Sequence, residues 1–128
     1  MTDLSHRFRS ALETRDSAAA AALMADGVVF RSPVVFKPYV GRDAVGEIMT
    51  AVFRVFDDWR CVRELGTSDG RDHALVFEGR IGDRQVEGCD FVHLDESGSI
   101  DEFYVMLRPL SGALALAEAM KAQLACTT

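Results

Sequence analysis

The stretch Arg84–Arg108 reads RQVEGCDFVHLDESGSIDEFYVMLR. It contains two strand-like runs, and the acidic, serine and glycine residues at positions 95–98 between them are typical of a hairpin turn. In each run the apolar residues recur at every second position, which places them on one face of a strand. An antiparallel pairing of Asp90 with Phe103 and of Leu94 with Ser99 puts both sets on the same face of a sheet. The members of this face are Val86, Gly88, Asp90, Val92, Leu94, Phe103, Val105 and Leu107.

Asp90 is the charged residue in the middle of this predicted apolar face. A carboxylate in such a place destabilises the fold unless it is paired or protonated. In a functional interpretation, Asp90 is a protonated donor or a general base with a raised pKa. In a structural interpretation, a neighbouring side chain or a backbone N–H satisfies the carboxyl group. Either way, we expect a functional site to involve the hollow that Asp90 faces.

The preceding strand, His73 to Arg80, extends the same face. If Ile81 pairs with Arg84 across the turn at Gly82-Asp83, Leu75 lies opposite Asp90, and cross-strand neighbours share a face. The same register places Phe77 opposite Gly88 and His73 opposite Val92, diagonal to Asp90. We therefore expect His73 to orient Asp90 or to relay a proton. The alternative is a partly exposed histidine at the start of a strand.

The composition indicates one globular domain that covers residues 1–128. Of the 128 residues 48% are hydrophobic and 27% are charged, and the net charge of −6 comes without a run of basic residues. This argues against nucleic acid and, more weakly, against anionic membranes as partners. No segment approaches the ~20 apolar residues of a membrane helix, and the N-terminus lacks the apolar core of a signal peptide. The three cysteines, Cys61, Cys89 and Cys126, show no metal-site spacing, so we expect a reduced, cytoplasmic protein with no metal.

The periodicity along the chain predicts an α+β fold. Apolar residues at helical spacing indicate helices over 3–13 and 18–24, and a third helix that opens at Gly41-Arg42-Asp43 with Asp43 as N-cap. The predicted strands cover residues 28–32, 59–65, 73–80 and the two runs of the hairpin, and residues 110–124 form a last helix. Four long strands in sequence order favour an antiparallel meander. We expect this sheet to curl around the leading helices and to leave a cavity between the two layers.

The opposite face of the sheet is too apolar for a surface open to water. Phe91, Tyr104, Met106 and Cys89 form a patch there, and Ile100 is also expected on this face. The favoured interpretation is a homodimer through the outer face of the sheet. The alternative is that the C-terminal helix folds over this patch.

Several strings in this order resemble the SnoaL-like branch of the NTF2-like superfamily. They are Ser32-Pro33-Val34 after the first strand, Gly41-Arg42-Asp43-Ala44 at the third helix, the string 88–100 (GCDFVHLDESGSI), and 105–110 (VMLRPL). The resemblance covers nearly the whole chain, and it is specific for the fold but weak for the activity. It implies a cone-shaped curved sheet around a deep apolar pocket, often in a dimer. The family includes ketosteroid isomerase, limonene epoxide hydrolase and polyketide cyclases.

Ketosteroid isomerase combines a carboxylate base with a tyrosine and a protonated aspartic acid that donate hydrogen bonds to a developing oxyanion. Carried over by the surrounding strings, the aspartic acid position falls on Asp90. The base position falls on Ser32 and the tyrosine position on Phe8. Serine cannot act as a carboxylate base and phenylalanine has no hydroxyl, so the resemblance implies one surviving acid in an apolar pocket.

Two functions from different classes follow from these residues. The first is an enzyme without a cofactor that isomerises, cyclises or hydrates a small apolar or polycyclic molecule, with Asp90 and His73 as catalytic residues. The second is a ligand-binding or dimerisation module without chemistry. Tyr39 and Trp59 could stack on a ligand or be plain core residues, and one of Arg31, Arg60 and Arg63 could pair with Asp90 or bind an anionic ligand. The residues expected to line the pocket are Phe8, Ser32, Tyr39, Phe53, Trp59, Leu75, Phe77, Phe103 and Val105.

Overall fold

In the computed structural model the described part of the chain is residues 2–125, and Cys126 lies outside it. These residues form four helices and six strands. The helices are α1 (Thr2–Glu13), α2 (Ser17–Ala22), α3 (Arg42–Val55) and α4 (Leu110–Ala125). The strands are β1 (Met24–Arg31), β2 (Tyr39–Val40), β3 (Phe56–Gly66), β4 (Asp72–Ile81), β5 (Arg84–Leu94) and β6 (Ile100–Arg108). None of the helices in this part of the chain is long and apolar enough to cross a membrane.

The strands form one curved, open sheet in the order β2-β1-β6-β5-β4-β3. The α+β class, with the sheet curved around helices, is confirmed, and so is the antiparallel meander from β3 to β6. The sequence did not predict that β1 pairs with β6 in parallel, since this contact joins segments far apart in the chain. Tyr39 and Val40, in the expected irregular edge, pair with β1.

The register between β4 and β5 is the predicted one, with Leu75 opposite Asp90 and Ile81 opposite Arg84. The register between β5 and β6 was wrong by two residues, because Asp90 lies opposite Val105 rather than Phe103. A shift of two residues keeps each side chain on its face. An irregularity between His93 and Leu94 pairs Leu94 with Ile100, and Ile100, expected on the outer face, is completely buried.

The N-terminal boundaries differ from the prediction. Helix α2 ends at Ala22 instead of Met24, and residues 26–27, expected to end that helix, lie inside β1. Asp16 caps α2, as its side chain accepts a hydrogen bond from the Ala19 N–H at 3.0 Å. The N-cap of α3 is Gly41 and not Asp43, which lies in the first turn of the helix. Asp43 can still stabilise the helix there through its negative charge near the positive end of the dipole.

Helix α4 lies on the same side of the sheet as the other helices. Gly112 of α4 is buried directly over Val86, and a Cβ atom at position 112 would collide with that side chain. Leu116 and Met120 are buried as well. The alternative in which the C-terminal helix covers the outer face was therefore wrong. Helix α4 instead completes the apolar layer over the inner face, which the sequence had assigned to the three leading helices.

Gly88 brings two strands and an aromatic ring into close contact. A Cβ atom at this position would lie 2.5 Å from the Met106 carbonyl oxygen and 2.5 Å from Cζ of Phe77, both too short for any real contact. The backbone oxygen cannot move without disturbing the β5–β6 pairing. Glycine at position 88 therefore leaves room for the Phe77 ring against the backbone of β5.

Gly88→Ala should destabilise the protein by roughly 1–3 kcal/mol, the range for overpacking a well-packed interior. The matched control is Gly46→Ala in the middle of α3, where a Cβ meets nothing within 4 Å. Alanine there should stabilise the helix by about 0.5–1 kcal/mol. Urea unfolding followed by circular dichroism measures both, and equal effects of the two substitutions would contradict the close contact at Gly88.

Candidate functional site

Asp90 lies in the middle of β5 with its side chain on the inner face, and only 4% of the residue is exposed. Its neighbour across β4 is Leu75 and its neighbour across β6 is Val105. Among the described residues, no side chain or backbone group donates a hydrogen bond to the carboxyl group. The described residues therefore do not support the structural interpretation of Asp90, in which a neighbouring group forms a hydrogen bond with the carboxyl group.

The carboxyl group borders a cavity of about 50 Å³ between the sheet and the helices. The sheet contributes Phe30, Phe56, Trp59, Phe77, Phe103 and Val105, and the helices and loops contribute Leu12, Arg15, Pro33, Met49, Val52, Phe53 and Leu116. The cavity has room for a few water molecules. It is much smaller than the roughly 300–1,000 Å³ of a typical small-molecule pocket.

Burial raises the pKa of Asp90 from its ordinary value to about 8. The cause is desolvation, because an ion in an apolar interior loses its hydration. Asp90 is therefore mainly a neutral carboxylic acid at pH 7. In this form it is a hydrogen-bond donor aimed at an apolar cavity.

Aromatic rings fix the walls around the carboxyl group. Trp59 stacks on Phe77 with ring centroids 5.3 Å apart, and Phe56 meets the same ring edge-on at 5.9 Å. On the other side Phe103 packs against Phe30 at 5.0 Å. Such pairs add about 0.5–1.5 kcal/mol each beyond the area they bury. These walls are therefore stable parts of the core, and a ligand that displaces them has to replace these contacts.

Five of the nine residues expected in the pocket line this cavity, namely Phe53, Trp59, Phe77, Phe103 and Val105. The other four lie behind the lining or beside it. Phe8 packs edge-on against Phe103 at 5.3 Å, and Tyr39 stacks on Phe30 at 6.2 Å. Leu75 is buried in the core. Ser32 forms a local turn in which its hydroxyl oxygen accepts a hydrogen bond from the Val34 N–H at 3.0 Å.

The structure does not bring His73 and Asp90 together. The His73 ring is buried, and its Nε2 atom donates a hydrogen bond to the Gly70 carbonyl oxygen at 3.0 Å. This bond closes the turn between β3 and β4, and the lining of the Asp90 cavity contains other residues. The observed position of His73 thus accounts for its burial without any contact with the acid.

The arginines considered as partners of Asp90 lie elsewhere. Arg31 contacts Glu102 at 3.2 Å and Arg60 contacts Glu78 at 2.5 Å, and Arg63 is exposed on β3. The arginine that does border the cavity is Arg15, which the sequence gave no reason to select. Most of the other missed lining residues belong to apolar stripes already recognised on α1 and α3, including Leu12, Met49 and Val52. Within the described residues, no three histidine, cysteine, aspartate or glutamate side chains group closely enough to hold a metal ion.

A curved open sheet whose inner face is covered by helices, with a cavity between the layers, is the NTF2-like α+β fold. The chain belongs to the SnoaL-like domain family, whose sequence profile matches residues 5–103. None of the curated proteins matches the chain.

Solved structures agree with this assignment. A steroid delta-isomerase from Pseudomonas aeruginosa is 36% identical, with a TM-score of 0.93 over 98% of this chain and 92% of that one. An uncharacterised protein with a cystatin-like fold from Silicibacter pomeroyi is 33% identical, with a TM-score of 0.91 over 96% and 86% of the two chains. A third structure is the epoxide hydrolase/cyclase-like enzyme SalBIII, which has a role in pyran ring formation in the polyether salinomycin. It is 15% identical to this chain. Its TM-score of 0.69, over 85% of this chain and 91% of that chain, shows a shared fold alone.

The raised pKa of Asp90 predicts a pH-dependent stability. The pKa of Asp90 is about 8 in the folded state, whereas an unfolded aspartate has a pKa near 4. Between about pH 4 and pH 8 the folded state therefore keeps a proton that the unfolded state has lost. The stabilising effect of protonation is complete below about pH 4 and is lost as the pH rises to about 8. The free energy of unfolding should therefore fall by up to about 1.4 kcal/mol per pH unit across this interval.

Urea unfolding of the wild type and of Asp90→Asn between about pH 5 and pH 9 tests this. Asparagine keeps the shape and cannot ionise, so Asp90→Asn should gain stability relative to the wild type as the pH rises. The control is Asp83→Asn in the exposed β4–β5 turn, which should keep the pH profile of the wild type. A constant difference between Asp90→Asn and the wild type would show that Asp90 does not titrate in this range.

Proposed function

We propose that this protein binds a small apolar molecule that carries an oxygen acceptor, such as a carbonyl group, and that Asp90 in its acid form transfers a proton to that oxygen. The observation that carries the proposal is the Asp90 carboxyl group itself. It is buried, it borders an apolar cavity, and none of the described residues donates a hydrogen bond to it. A ligand oxygen would supply the missing partner.

The relatives support a reaction of this class. A protein 36% identical over 98% of this chain is a steroid delta-isomerase. Isomerisation next to a carbonyl group needs an acid at the oxygen and a base at the neighbouring carbon. The described lining residues offer no second carboxylate, histidine or lysine as the base.

One carboxyl group can perform both steps. Its O–H gives a proton to the carbonyl oxygen, while its second oxygen accepts a proton from the carbon next to the carbonyl, and an enol results. The reverse transfer delivers the proton to a different carbon and takes back the proton from oxygen. Asp90 ends in its starting state, and the substrate has become its isomer.

The cavity must widen to admit a substrate. At about 50 Å³ it is far below the roughly 300–1,000 Å³ of a typical small-molecule pocket, so lining side chains have to move. The flexible side chains Met49 and Leu116 lie on α3 and α4, opposite the rigid aromatic wall on the sheet. We therefore propose that ligands enter by displacing the helical side of the lining.

A non-catalytic binding module is the second candidate. It is supported by Ser32, which stands where the resemblance places the base, and whose hydroxyl is engaged with its own loop. In this case Asp90 would hold the ligand oxygen by a hydrogen bond without transferring the proton.

We also propose that a second copy of the chain covers the outer face of the sheet. Phe91 and Tyr104 stack there at 5.3 Å, and 54% of Met106 is exposed. Charged groups around these residues are neutralised within the chain, as in the pairs Arg31–Glu102, Arg60–Glu78 and Arg108–Glu87. Two such faces can meet without repulsion between like charges, since each face is both apolar and locally neutral.

The Asp90→Asn variant tests catalysis. Wild-type protein should isomerise at least one member of a panel of unsaturated cyclic ketones, epoxides and polyketide intermediates, and Asp90→Asn should be slower by at least about 100-fold. Turnover by the wild type should also fall above about pH 8, where the acid form is lost. Absorbance of the conjugated product gives the rate, and thermal-shift titration gives the binding. Equal turnover by both proteins would exclude proton transfer by Asp90, and binding without turnover in either would favour the non-catalytic module.

Met106→Glu tests the dimer. Two glutamates placed in the middle of the proposed interface should weaken association by at least about tenfold, because a buried unpaired charge is costly. Sedimentation velocity over a range of concentrations measures the change. The control is Leu114→Glu on α4, an apolar residue that is 60% exposed on the opposite side of the sheet. A wild-type monomer at high protein concentration would refute the proposed interface.

A further inference from the structure

Arg15 lies in the turn between α1 and α2, at the edge of the Asp90 cavity. Its backbone has a φ of 57°, in the left-handed region, and its N–H donates to the Leu12 carbonyl oxygen at 3.3 Å. A single left-handed residue of this kind ends a helix and redirects the chain. The turn thereby brings an arginine side chain to the cavity lining, which also contains Phe56 and Trp59.

Arg15 and Asp90 are the two ionisable residues among the described lining residues, and the rest are apolar. They differ in burial, because the Asp90 carboxyl is enclosed whereas 45% of the Arg15 side chain is exposed. The cavity therefore has a neutral acid at its inner end and a cation at its solvent side. A ligand that fills the cavity up to its mouth passes both groups.

The guanidinium group of Arg15 is weakly engaged within the chain. Its Nη2 atom is 3.9 Å from Asp57 Oδ1, which is beyond hydrogen-bond distance, and the Asp57 side chain is 51% exposed. Pairs of this kind contribute little. By contrast, Arg42 donates to the Met24 carbonyl oxygen at 2.9 Å, and Arg80 donates to Asp58 at 2.9 Å. The donors of Arg15 are thus available for an incoming group.

We propose that Arg15 is an anion-binding subsite and that the ligand of this protein is an apolar acid, with its carboxylate or other oxyanion at Arg15 and its hydrocarbon body in the cavity. This inference rests on the proposed function, since it specifies the ligand of the same cavity. A planar guanidinium binds such a group through two parallel hydrogen bonds. The uncharged state of Asp90 near neutral pH, a consequence of its raised pKa, avoids repulsion between the acid and the anionic ligand.

Two fluorescent probes with the same ring system test the proposal. Anilinonaphthalene sulfonate carries a sulfonate group, and phenyl-naphthylamine lacks it. Wild-type protein should bind both probes and prefer the sulfonate. Arg15→Gln should weaken binding of the sulfonate about tenfold and leave binding of the neutral probe unchanged. The matched control is Arg63→Gln, which removes the same charge from an exposed position outside the cavity lining and should leave both affinities unchanged.

A cavity-filling variant separates this site from the apolar outer face. Leu116→Trp places a large ring in the cavity and should abolish binding of both probes, and Val52→Phe serves the same purpose if the first variant does not fold. Circular dichroism checks folding in each case. If the neutral probe binds in the cavity but Arg15→Gln leaves the sulfonate affinity unchanged, the anion subsite is refuted and the proposed function stands. If neither probe binds, or the cavity-filling variants change nothing, the binding function itself is refuted, together with the subsite.

Discussion

The antiparallel register between β4 and β5 determines which side chains reach the interior. The two strands are joined by a two-residue turn, and Gly82 in its first position has a φ of 61°, which glycine adopts without strain. With that turn fixed, Leu75 lies opposite Asp90 and Phe77 lies opposite Gly88. A slip by one residue would turn these side chains outward and bring Val76 and Glu78 into the core. The site therefore depends on the short turn that directly precedes β5, several residues before Asp90 in the sequence.

The sequence predicted the parts of the fold that depend on residues close together in the chain, and it missed those that depend on distant residues. The β4–β5 register was predicted correctly because a two-residue turn leaves one way to pair the strands. The β5–β6 connection is longer and contains an irregularity beside Leu94, so alternation gave the correct faces but not the pairing or the burial of Ile100. The parallel contact of β1 with β6 has no local signal at all. Helix α4 is apolar on nearly all sides, and its periodicity could not show that Leu116 faces the core while Leu114 faces solvent.

The candidate site was predicted in part for the same reason. Asp90 was identified because a charged residue among alternating apolar residues is conspicuous. It stays on the same face of the sheet when the register shifts by two residues. The volume of the cavity could not be predicted, since it depends on how Trp59 and Phe56 each pack against the Phe77 ring. Arg15 was missed because an arginine in a turn between helices is ordinarily a solvated residue. Its place at the cavity follows from the packing of α1 against β3, where Arg9 contacts Cys61 and Glu64, residues 52 and 55 positions away in the chain.

The buried acid is difficult to explain by stability alone. Even when neutral, a carboxylic acid in an apolar interior without a hydrogen bond from the protein costs roughly 1–3 kcal/mol, and proteins of this size are stable by only about 5–15 kcal/mol. Leucine or valine at position 90 would suit the surrounding apolar side chains better than a carboxylic acid does. The same desolvation that destabilises the carboxyl group makes it a stronger partner for a ligand oxygen, because a hydrogen bond formed away from water is not weakened by competition with it. Binding of a ligand with an oxygen acceptor would thus supply the hydrogen bond that the Asp90 carboxyl group lacks in the folded protein without the ligand.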